Sequence, residues 1–65
     1  MKITELALEL LQARREYEVA RHHGDAEAME DAVVTLEGIT DDAWTMNFTT
    51  TELIAETQRL EREGY

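Results

Sequence analysis

The sequence predicts an all-α fold, a small three-helix domain built on an antiparallel helical hairpin. Three observations carry that prediction. Apolar residues recur at intervals of three and four through the first half of the chain, proline is absent, and glycine occurs only at Gly24, Gly38 and Gly64. A chain with so few breakers reads as helices punctuated at its glycines.

The first element is the most regular. Ile3, Leu6, Leu10, Ala13, Tyr17 and Ala20 share one stripe of a helix, and Leu8 and Leu11 widen that stripe in its first half. Thr4 has the chemistry of an N-cap, with Ile3 and Leu8 placed as a hydrophobic staple, so the helix is expected from about Thr4 to His23. Gly24 then supplies a left-handed stop, and Asp25 a new N-cap directly after it. A connection this short makes the next helix antiparallel to the first.

In the second element Ala26, Met29, Val33 and Leu36 repeat the helical spacing up to an expected stop at Gly38, and Ala28 and Ala32 allow close approach of a neighbour. Val33, Val34 and Thr35 are consecutive β-branched residues and argue locally for a strand. The helical periodicity around them decides for helix. With its Gly24-Asp25 turn and its alanines at 26, 28 and 32, the hairpin over residues 6 to 37 resembles a single tetratricopeptide repeat. Such repeats bury their faces only when about three are stacked, and no second copy follows, so no function is carried over.

Residues 40–48 support two readings. Trp44, Met46 and Phe48 alternate as on a strand, whereas Thr40, with Asp41 and Asp42 behind it, is built to cap a short helix. A short helical turn followed by an extended link is preferred, because a lone strand has no ladder partner in the chain. The third helix has the clearest start: Thr49 as N-cap, Glu52 three residues on, and Phe48 with Leu53 as the staple. It runs through Leu53, Ile54 and Leu60 to about Glu63.

Charge bounds function. Fifteen acidic against six basic residues in 65 give a formal net charge of -9, which repels phosphate backbones and anionic membranes and attracts basic protein surfaces. A helix-turn-helix reader of DNA is excluded on the same ground, since the second helix carries Glu27, Glu30, Asp31 and Glu37 and no base. There is no cysteine to staple so small a domain and no run of apolar residues long enough to span a bilayer. The N-terminal residues lack a secretion signal, so a cytoplasmic location is expected.

Chemistry is sparse. Glu18 and His22 lie one turn apart and His22-His23 are adjacent, but neighbouring helical residues diverge by about 100°, and histidines in a last turn are accounted for by the helix dipole. The acidic pairs Glu16/Glu18, Glu30/Asp31 and Asp41/Asp42 sit in polar runs. Serine is absent, as are phosphate-binding loops and zinc motifs, and so small a core leaves little room for a pocket of ~300 Å³ or more. The expectation is therefore no enzyme, no cofactor and no metal.

What remains is binding of a protein partner, by self-association as a homodimer or by capture of a partner with a basic surface. In its sharper form, the acids imitate nucleic acid and inhibit a DNA- or RNA-handling protein. The residues expected to meet a partner are Leu8, Leu11, Trp44, Met46 and Phe48. Residues 1–65 are read as one domain.

Overall fold

In the computed structural model, which describes residues 3–65, the helices are α1 (Ile3–His23), α2 (Ala26–Thr45) and α3 (Thr50–Arg62). No strand occurs among the described residues. The all-α reading and the antiparallel hairpin hold. Asp25 caps α2 by accepting from the Ala28 amide at 3.1 Å, as its position after Gly24 required. Thr49 and Glu52 form the complete capping box at the start of α3.

All three helices end in one way. Residues at positive φ, Gly24 (66°), Asn47 (67°) and Gly64 (96°), follow the last turns. In each case the amide two places past the cap returns to a carbonyl five residues back: Asp25 to Ala20, Phe48 to Ala43, Tyr65 to Leu60. This is the Schellman closure, which satisfies orphan carbonyls at a helix end.

Four local expectations are corrected. Gly38 does not stop α2, which continues through it to Thr45; glycine weakens a helix without breaking it, and the stop is supplied by Asn47. Thr40 caps nothing, because it already lies within α2 and donates its hydroxyl to the Leu36 carbonyl at 3.0 Å. The segment 40–48 is thus helix up to Thr45 and a tight turn after it. Thr4 likewise lies inside α1, whose helical residues begin by Ile3, and its hydroxyl is given to α3.

The fourth correction concerns which side of α2 faces inward. Val33 and Ala26 are exposed, whereas Ala32, Ile39 and Ala43 are buried. Ile39 and Ala43 lie beyond the expected stop, and once they join the helix they set its orientation. On α1 the stripe from Ile3 to Ala20 is buried or half-buried throughout, and Ala7 and Leu11 extend it sideways. That extra width follows from position: α1 packs against both other helices, while α2 and α3 touch little.

The core joins Leu6, Ala7, Leu11, Ala13, Ile39, Ala43, Leu53 and Leu60, with Ile3, Leu10, Leu36, Met46 and Phe48 packed around it. Alanine makes up much of it, which brings helices close but removes little apolar area from water per residue. Thr57 is buried too, its hydroxyl satisfied by the Leu53 carbonyl at 2.8 Å. Thr4 meets Glu56 and Arg14 meets Glu61, so α3 runs in the same sense as α1. The molecule measures 34 × 26 × 17 Å, and in this flat arrangement the outer side of α2 has no helix against it.

Candidate functional site

The outer face of α2 concentrates the charge of the chain. From Gly24 to Phe48 the acids are Asp25, Glu27, Glu30, Asp31, Glu37, Asp41 and Asp42, and no basic residue is present, whereas α1 and α3 mix both signs. Seven of the nine net negative charges therefore belong to this one stretch. Every one of these acids is exposed. Among the described residues, the ion pairs join Arg14 to Glu61, Arg21 to Glu18, and Arg59 to both Glu56 and Glu63, so none involves α2.

Helical geometry gathers these acids. At about 100° per residue, Glu27, Glu30, Asp31, Glu37, Asp41 and Asp42 fall within an arc of about 140°, turned away from Ala32, Ile39 and Ala43. They span about 22 Å of helix axis in uneven steps of roughly 1.5 to 9 Å, about 4.5 Å on average. Along one strand of B-DNA the phosphates advance by roughly 3.4 Å. Apolar side chains share this face: Val34, 62% exposed, lies within the arc, and Val33 and Trp44, 40% and 65% exposed, line one border of it.

The residues expected to meet a partner do not form one patch. Leu11 is buried in the core, and Met46 and Phe48 pack against that core at the end of the hairpin. Leu8 is 39% exposed on α1. Trp44 alone of the aromatic segment points outward, because the helix that carries it runs on to Thr45 and its inward place is taken by Ala43. The one-sided acidity of α2 was present in the sequence as a stretch without a basic residue, but it becomes a single face only when the helix continues past Gly38.

Other possible sites carry less. Open grooves do exist, against the expectation from chain length; one of about 530 Å³ is lined by Leu11, Tyr17, Val19, Leu36 and Tyr65 with Arg14, and another of about 390 Å³ lies beside Val19 and Ala28. They are clefts between helix surfaces. The groups whose ionisation is displaced lie outside them: Glu56 is lowered to about 2 by the hydrogen bond from Arg59 and then by that from Thr4, and Arg59 is raised in return. Glu18 is engaged by Arg21 at 2.8 Å. Among the described residues no three histidine or carboxylate side chains are grouped as for a metal ion, and no helix is long and apolar enough to cross a membrane. No protein-family model, no curated protein and no solved structure matches this chain.

Proposed function

We propose that this chain is a non-catalytic interaction module that presents the acidic outer face of α2 to the basic surface of a protein partner, sequestering or inhibiting it. The observation that carries this reading is the gathering of six exposed carboxylates on one side of α2, with no base on that helix to neutralise them. Their mean axial interval of about 4.5 Å, though uneven, is of the same order as the roughly 3.4 Å advance of phosphates along a nucleic-acid strand, which favours a partner that itself handles DNA or RNA. Exposed charge of one sign accelerates encounter with a basic surface, and Val33, Val34 and Trp44 supply apolar area once contact is made.

Self-association is the second reading. The observation in its favour is that Leu8, Val19 and Ile54 stay exposed at 39%, 58% and 48% on α1 and α3. Light scattering across protein concentration at low and high salt tests it.

For the main reading, the immobilised protein is used to capture partners from its host extract, beside a variant carrying Glu30→Gln, Glu37→Gln, Asp41→Asn and Asp42→Asn. The expected result is a basic protein held by the wild type, released by added salt or competing DNA, and lost with the variant. Retention of the same proteins by both would rule out α2 as the binding face.

A further inference from the structure

The acidic face of α2 carries an aromatic side chain that a solubilising surface does not need. Trp44 is the only tryptophan in the chain and is 65% exposed in the last turn of α2. Asp41 lies three residues before it and Glu37 seven, so the indole and both carboxylates share one ridge of the helix. Leaving so large an apolar surface in water costs solubility and contributes nothing to the core, which is closed at this end by Ala43, Met46 and Phe48. No cation within α2 is available to lie over the ring, because the helix has none.

We infer that Trp44 and Asp41 form an arginine-recognition site on the α2 face, and that the basic partner is read through arginine rather than through positive charge alone. This inference rests on the binding face proposed above and names what that face selects. A guanidinium is planar and weakly hydrated, so it stacks on an indole while its N–H groups donate to a carboxylate beside the ring. A lysine ammonium is a compact, strongly hydrated point charge; it satisfies the carboxylate but forgoes the stacking. The occupant is an arginine-bearing segment of a protein, and the charge complementarity is that of an α2 with seven acids in and around it and no base.

The test compares an alanine–arginine repeat peptide with the alanine–lysine peptide of the same length and charge, titrated into the intact protein by calorimetry. Trp44 fluorescence is followed in parallel, since no other tryptophan contributes. The arginine peptide is expected to bind roughly three- to ten-fold more tightly and to perturb the indole emission. Trp44→Leu, checked for unchanged helicity, should abolish the preference while keeping salt-dependent binding of both peptides. Asp41→Asn, which leaves the indole in place, should reduce it. Equal binding of the two peptides to the wild type, or a preference that survives Trp44→Leu, overturns the arginine site and leaves the acidic binding face standing. If neither peptide binds, the binding face itself falls, and the arginine site with it.

Discussion

The hydroxyl of Thr4, in the first turn of α1, donates to Glu56 Oε2 of α3 at 2.6 Å across 52 positions of sequence. Glu56 also accepts from Arg59 Nε at 2.6 Å and Nη2 at 2.9 Å, and Arg59 reaches on to Glu63. One carboxylate thus ties the start of α1 to an arginine on the outside of α3, and its side chain is only 14% exposed. Charge-assisted bonds of this kind favour the ionised form, which is why Glu56 is held at about 2, below its ordinary 4.5.

The pH dependence follows from that direction. A carboxyl whose folded value is depressed contributes stability that is fully present above about 4.5 and is lost as pH falls toward about 2. Glu56→Gln should therefore lower the thermal midpoint at neutral pH, and the gap to the wild type should close across that acid window. Thr4→Val should lower the midpoint as well, with the same acid convergence. A gap that stays constant with pH would show that the carboxylate's charge contributes nothing to holding α1 against α3. Because these groups lie near solvent, added salt should narrow the gap.

Gly38 stands at a helical position where an added Cβ would meet nothing within 4 Å beyond its chain neighbours and the surrounding backbone of its own helix. Nothing in the fold requires glycine there, and an exposed glycine inside a helix costs about 0.5–1 kcal/mol relative to alanine. Gly38→Ala should therefore stabilise the protein by about that amount, raising the midpoint by roughly 2–8 °C for a domain of this size. An unchanged or lower midpoint in a melting experiment would contradict the continuous α2.

Much of this fold was legible in the chain, and the exceptions have physical causes. Caps that depend on side chains close in sequence, Asp25 onto Ala28 and Thr49 with Glu52, were readable because both partners lie within one turn. The α1 stripe was readable because six positions repeat one spacing. Gly38 misled because glycine has two uses, as a left-handed stop and as a weak interior residue, and which applies depends on whether Ile39 and Ala43 find a neighbour to bury them. That is a tertiary fact. The same shift hid the site, since Asp41, Asp42 and Trp44 join the acids of Glu27 to Glu37 only on an unbroken helix. Thr4 was misread for a related reason: a threonine near a helix start is an N-cap by local pattern, and its actual acceptor is Glu56.

Burial separates two leucines two residues apart on α1. Leu6 is fully buried and Leu8 is 39% exposed. Emptying a buried leucine site costs about 2–5 kcal/mol, whereas an exposed substitution usually stays within about 0.5 kcal/mol. A domain of 65 residues has only roughly 3–10 kcal/mol of total stability. Leu6→Ala should consequently leave much of the protein unfolded at ambient temperature by circular dichroism, and Leu8→Ala should melt like the wild type. If Leu8→Ala instead lowers the midpoint in a concentration-dependent way, the exposed leucine is contributing to a contact between copies.

Asn47 does for α2 what Gly24 and Gly64 do for the other helices, adopting φ 67° so that the Phe48 amide can return to the Ala43 carbonyl at 2.8 Å. Asparagine tolerates this left-handed conformation better than most side chains, and glycine adopts it at no steric cost. Asn47→Gly should therefore leave stability within a few tenths of a kcal/mol, since easier geometry is offset by a more mobile unfolded chain. Asn47→Ala keeps the Cβ that Asn47 already holds in this region but removes the polar side chain that offsets its strain, and should cost up to about 1 kcal/mol. Chemical denaturation followed by Trp44 fluorescence distinguishes the two. Three residues separate the indole from the turn, so fraying of the last turn of α2 should change its emission before global unfolding in the alanine variant and not in the glycine one. A silent Asn47→Ala would mean that α2 is ended by the staple of Phe48 and Leu53 and not by the left-handed turn.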